Sequence, residues 1–176
     1  MKWNRKFVYP KSIRSTDNGI RRYLIGEKKL PSVTSILDAT KSEEDKAALA
    51  NWVERTGLKE NEAIVKAASS RGSKMHAYLE SFLLGRENLS FFDDNEQYKI
   101  MAKQIIEKGL INRFEEVWGV ECTLYKPDSY SGTCDAVGVY DGRESIIDFK
   151  QSNKPKKFEY IDSWFLQTAA YSLAHN

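Results

Sequence analysis

Apolar residues along the chain follow two different periods, and the change between them falls near residue 116. Before it the spacing is helical. "LPSVTSILDAT" predicts a helix start, because Pro31 suits a first turn and Ser32 or Thr34 can accept its free amide hydrogens. "KSEEDKAALANWVERTG" predicts a helix capped by Ser42, with acidic residues in its first turn and Gly57 as its stop. A further helix from about Lys59 leads into "SSRGSKMHAYLESFLLG", where Met75, Leu79, Phe82 and Leu83 form an apolar stripe that Gly85 ends. "DDNEQYKIMAKQIIEKG" predicts another amphipathic helix. After it the period shortens to that of strands, in "VWGVECTLY", "GTCDAVGVY" and "ESIIDFK", before a last helix over "YIDSWFLQTAAYSLAHN". Residues 1–30 read as a short β-rich arm with a turn at "TDNG". With no repeats, low-complexity stretches or long linkers, the pattern predicts a single α/β domain over 1–176: the arm, a mainly helical part over 31–116, and strands with a final helix over 117–176.

Composition adds little to this picture and charge distribution adds more. The 176 residues, 41% hydrophobic and 12% aromatic, suffice for one core. A net charge of +2 does not announce a nucleic-acid binder, yet residues 1–30 hold nine basic side chains against two acidic ones, which would suit either a phosphate path or a solvated surface. Cys122 and Cys134 are too few for an iron-sulfur cluster or a structural zinc site and read as buried reduced thiols. No run of about 18 or more apolar residues is present, and "MKWNRKFVYP" has no signal-peptide core, so an intracellular protein with no membrane partner is expected.

The chemistry is concentrated in a hairpin. Asp141-Gly142 between two strand-like runs signals a two-residue turn, which sets every cross-strand pair to residue numbers summing to 283. Asp135 and Asp148 satisfy that sum, so their β-carbons should lie about 4.5–5.5 Å apart on one face, with Lys150 beside them. Cys134, Ala136, Ile147 and Phe149 are assigned to the opposite, packed face. Like charges facing each other across a sheet are destabilising unless something compensates. Either a divalent cation shared by hard oxygen ligands does so, or the face is open to water.

Together with Gly132, these residues resemble the PD-(D/E)XK nuclease superfamily, in which an acidic residue and a D-x-K or E-x-K triplet lie on adjacent strands. "RGSKMHAYLE" resembles the helix that supplies a metal-binding histidine in the RecB-like exonuclease branch, and "QTAAY" resembles its Q-x-x-x-Y motif. "LPSVTSIL", "VECTLY", "GTCDAV", "IIDFK" and "KPKKFEYIDSWFLQTAAY" follow the order found in mitochondrial and phage-encoded members of that branch. The resemblance implies a restriction-endonuclease-like core, with a central mixed sheet and an antiparallel catalytic hairpin flanked by helices. Two departures stand out. Gln151 replaces the Thr or Ser common after the lysine, and the chain stops where relatives continue with further strands and a helix, so a fragment and a natural minimal form both stay open.

The activity so implied is metal-dependent hydrolysis of DNA, by an exonuclease on single-stranded ends, in replication, recombination or repair. Asp135, Asp148 and Lys150 would be catalytic. His76, Asp135, Asp148, the carbonyl of Phe149 and Glu121 would hold Mg²⁺ or Mn²⁺. Each has a plainer reading: His76, at i to Glu80, could be a structural histidine, and Glu121 a partner for a basic residue. Arg71, Gln167, Tyr171, Lys154, Lys156 and Lys157 are candidate DNA contacts, although Gln167 and Tyr171 could instead bond to the catalytic face, amphipathic packing would equally explain Tyr171, and the lysines could form a solvated surface. The rivals are a structure-specific endonuclease of the same superfamily and a non-catalytic nucleic-acid-binding module.

Overall fold

The computed structural model of the chain describes residues 1–86 and 96–176. After a two-residue strand β1 (Lys2–Trp3), the arm forms an antiparallel three-stranded sheet from β2 (Ile13–Asp17), β3 (Ile20–Ile25) and β4 (Lys28–Pro31). The "TDNG" turn closes β2 onto β3, with Asn18 and Gly19 both at positive φ. Helix α1 (Val33–Ala39) follows at once, capped by Ser32, whose hydroxyl accepts from the Ser35 amide. Pro31 thus ends β4 and does not enter the helix; the cap comes after it.

Helix α2 (Glu43–Thr56) begins on the Ser42 cap and ends at Gly57, where φ is 81°. Helix α3 (Leu58–Leu83) is one continuous element of 26 residues that brings the apolar stripe and His76 onto the body, with Gly85 at φ 66° behind it. The next helix is shorter than the sequence pattern suggests. Within the described residues α4 covers Gln97–Ile105 and widens into a π-helical turn, Ile106–Leu110; the expected start at Asp93, Asp94 and Asn95 lies outside the described residues.

The main sheet has the order β1, β5 (Phe114–Lys126), β6 (Tyr130–Tyr140), β7 (Arg143–Ile147). It is mixed, because β1 runs parallel to β5 while β5, β6 and β7 are antiparallel. Helix α5 (Asp162–His175) closes the fold after a single 3₁₀ turn, Phe158–Tyr160. Two apolar clusters cover the two faces of this sheet. Met75, Leu79 and Leu83 of α3 and Ala102 of α4 pack with Phe114, Val117, Ala136 and Phe149. Val33 of α1 and Tyr171 of α5 pack with Trp118, Cys122, Leu124, Cys134 and Val137. The architecture is α/β, with five α-helices among the described residues; none of these is long and apolar enough to cross a membrane.

The hairpin has the expected register. Tyr140 pairs with Arg143 and Ala136 with Ile147, and both turn residues have positive φ, Asp141 at 47° and Gly142 at 72°. That combination matches the right-handed twist of the flanking strands. Arg113 anchors the turn from outside through its guanidinium on the Asp141 carboxylate. The ladder stops at Ile147, one step before Asp148.

The expected assignment of faces needs correction. Cys134 packs with Tyr171 on one side of the sheet, whereas Ala136 and Phe149 pack with α3 on the other. The cause sits on the neighbouring strand. Glu121, between the pairs Val120↔Ala136 and Cys122↔Cys134, has φ 51°, a left-handed conformation that interrupts the pleat and changes its phase. Val120 accordingly faces the α3 cluster and Cys122 the α5 cluster.

The N-terminal arm clasps the last third of the chain. Tyr9 Oη lies 3.1 Å from His175 Nε2 at the end of α5, Phe7 stacks edge-on against His175, and Ser12 Oγ meets Thr123 Oγ1 at 2.8 Å. Part of the arm's positive charge is spent within the fold, since Lys6, Lys28 and Lys29 pair with Glu144, Asp128 and Asp17.

Candidate metal and catalytic site

Three elements bring donor groups to one place. The His76 ring from α3, the Glu121 carboxylate from β5 and the Asp135 carboxylate from β6 each offer one ligand atom, and these atoms lie within 4.8 Å of one another. Asp135 is the hub. It is buried, its Oδ1 lies 2.9 Å from His76 Nδ1, and its Oδ2 accepts from the backbone amide of Phe149. The Phe149 contribution here is therefore its N–H, which holds the post-ladder segment against β6.

Asp148 lies outside that three-residue group. Its Oδ1 accepts from Gln167 Nε2 of α5 at 3.2 Å, and its Oδ2 forms an ion pair with the Lys150 ammonium that lacks hydrogen-bond alignment. The pair of carboxylates set opposite by the turn thus diverges, Asp135 turning to α3 and Asp148 to α5. The alternation assumed from sequence ends with the ladder at Ile147.

The electrostatics are those of a site short of positive charge. Burial, and then the Asp135 and Glu80 carboxylates, push Glu121 up to about 7. Burial and Asp135 also raise Asp148, against the opposing pull of Lys150. His76 is raised by its hydrogen bond to Asp135, which outweighs burial. Carboxylates crowded in this way take up protons unless a cation is supplied. Imidazole with carboxylate oxygens is a donor set that can hold a divalent cation, and the raised carboxylates together with the strained Glu121 backbone fit such an occupant.

Gln167 and Tyr171 are both buried and face inward, Gln167 onto Asp148 and Tyr171 into the apolar cluster under α5. Gln167 Nε2 also donates to Tyr171 Oη at 3.0 Å, and burial raises the Tyr171 phenol, keeping it neutral. Tyr171 in turn lies against Gly132, where a β-carbon would come within 2.4 Å of its ring. The four-residue spacing of Gln167 and Tyr171 on α5 is what lets one amide serve both groups.

Arg71 is five residues before His76 on α3, and each of its three guanidinium nitrogens donates one hydrogen bond. It donates to Gln151 Oε1 at 3.1 Å, to Gln97 Oε1 at 3.2 Å and to Asn153 Oδ1. Gln151 returns a bond from Nε2 to the Ala68 carbonyl at 3.2 Å. All the acceptors on Arg71 are neutral amides, so its charge persists while the segment beyond Lys150 is tied to α3. Sequence reasoning missed this clamp; the signal was Gln151, noted only as a departure. Lys154, Lys156 and Lys157 follow on that segment, all exposed. Cys122 and Cys134, both buried and unbridged, face each other across β5 and β6.

No family model matches the chain. Over 158 residues, 84% of its length, it is 32% identical to mitochondrial genome maintenance exonuclease 1 of Homo sapiens. Over 132 residues, 72% of its length, it is 30% identical to the Mus musculus protein of that name. It spans 44% and 38% of those two proteins. Across most of its own length, and less than half of theirs, the chain is similar to two mammalian proteins named as exonucleases.

Proposed function

We propose that the chain is a metal-dependent deoxyribonuclease of the PD-(D/E)XK superfamily, in its RecB-like exonuclease branch, built on a restriction-endonuclease-like core and acting on single-stranded DNA ends. The observation that carries this reading is the convergence of His76, Glu121 and Asp135 beside the Asp148–Lys150 pair. The names of the similar proteins support the nuclease class.

His76, Glu121 and Asp135 would hold Mg²⁺ or Mn²⁺, with Asp148 and the Phe149 carbonyl as further candidates. A bound divalent cation supplies a lowered water pKa and neutralises phosphate charge. Asp135 would fix the neutral His76 ring by accepting from Nδ1–H, leaving the Nε2 lone pair free. Gln167 holds one oxygen of Asp148 and leaves the other toward Lys150. Lys150, paired with Asp148 beside those ligands, would orient the attacking water or stabilise charge gathering on the phosphoryl oxygens.

Cleavage of end-labelled single- and double-stranded DNA, with and without Mg²⁺ or Mn²⁺, tests this directly. Single strands should be degraded only with metal, circular single strands should survive, and Lys150→Ala or Asp135→Asn should lower the rate by about 100-fold or more. Metal-independent cleavage, or full activity in Lys150→Ala, would sink the proposal.

A further inference from the structure

The segment that leaves Lys150 for α5 carries an unusual surface. Phe158, Tyr160 and Phe165 are 73%, 63% and 51% exposed, although aromatic rings of this size are mostly buried. Phe158 and Phe165 touch each other, with ring centroids 5.4 Å apart and planes tilted by 40°. The same segment exposes Lys154 and Lys156. Phe165 lies two residues before Gln167, which bonds Asp148, and so on roughly the opposite side of that helix.

We propose that Phe158, Phe165 and Tyr160 form a stacking platform for the bases of single-stranded nucleic acid, with Lys154 and Lys156 following its phosphates. Two features favour this occupant over a protein surface. The exposed rings offer flat faces that any base can cover, and the cations beside them match a polyanion. The inference rests on the nuclease reading for its substrate, and it adds where that strand is gripped as it enters or leaves the site. Aromatic grip of this kind tolerates any sequence, because it uses base faces and leaves base edges unread.

The test uses a short single-stranded oligonucleotide carrying 2-aminopurine, an equal-length strand lacking its bases, and Ca²⁺ in place of Mg²⁺. Wild-type protein should quench the 2-aminopurine and bind the base-bearing strand at least about fivefold more tightly than the abasic one. Phe158→Leu and Phe165→Leu keep apolar area and remove the rings; each should abolish quenching and lose at least about fivefold in affinity. Leu166→Ala, a neighbouring apolar change on α5, should alter neither. Equal binding of base-bearing and abasic strands, wild-type behaviour of the Leu variants, or an equal loss in Leu166→Ala would each overturn the platform, the last two pointing to general apolar docking. Cleavage assayed in parallel with Mg²⁺ separates the readings. Cleavage without stacking leaves the nuclease and removes the platform, whereas stacking without cleavage does the reverse.

Discussion

Glu121 holds a backbone conformation that a non-glycine residue in mid-strand rarely adopts, opposite Asp135 and beside a histidine that also faces Asp135. Its proton balance has a measurable consequence. Glu121 is raised from the ordinary 4.5 to about 7, so between those values the folded chain keeps a proton that the unfolded chain releases. Stability must then fall as pH rises through that window. Asp148, also raised, acts in the same direction above its ordinary value of 3.8. The stability due to the raised His76 is fully present below 6.5 and is lost as pH climbs through its folded value. Metal-free protein should therefore melt at a lower temperature at about pH 8 than at about pH 5, and Mn²⁺ should stabilise it more at the higher pH, where protons no longer compete for the ligands. Thermal unfolding in chelator and in Mn²⁺ measures both; a melting temperature that rises with pH in chelator contradicts the electrostatics. At Gln167, loss of the amide leaves an Asp148 oxygen and the Tyr171 hydroxyl without their shared partner. Gln167→Leu should lower kcat by about 10- to 100-fold with a smaller change in KM, as read from steady-state cleavage.

At the level of elements, the hairpin was legible because Asp141-Gly142 permits one tight turn and thereby one register. The caps at Ser42 and Ser32 and the stop at Gly57 were legible for the same local reason, since each satisfies backbone groups within a few residues. What could not be read was non-local. The left-handed Glu121 depends on β6 and α3 together, and it changes the phase that strict alternation assigned to Cys134 and Ala136. The site was legible as a set of residue types, while its division into an Asp135 side and an Asp148 side required the helices to be in place. Two element-scale outcomes follow. Gly132→Ala forces a β-carbon into the Tyr171 ring and should cost about 1–3 kcal/mol, seen as a melting point lowered by several degrees. Arg71→Ala frees Asn153 from α3 and leaves Gln151 its bond to the Ala68 carbonyl alone, so limited trypsin digestion should nick the chain after Lys156 or Lys157 sooner than in the wild type.

For the molecule as a whole, the most unusual connection is between its two ends. Residues 2–12 find most of their partners far along the chain, at Glu116, Val117, Thr123, Glu144 and His175, with Trp3 also donating to the Leu83 carbonyl. Contacts of such sequence separation form late, because a long loop must close before they contribute. Tyr9→Phe removes the bond to His175 without emptying the space around it, and should speed unfolding in denaturant more than it slows refolding. The same connection makes docking of the arm and the fastening of α5, which orients Asp148, a single event. Until it happens the arm's aromatic residues are open to other chains, so a molecule caught short of it is the species prone to aggregate.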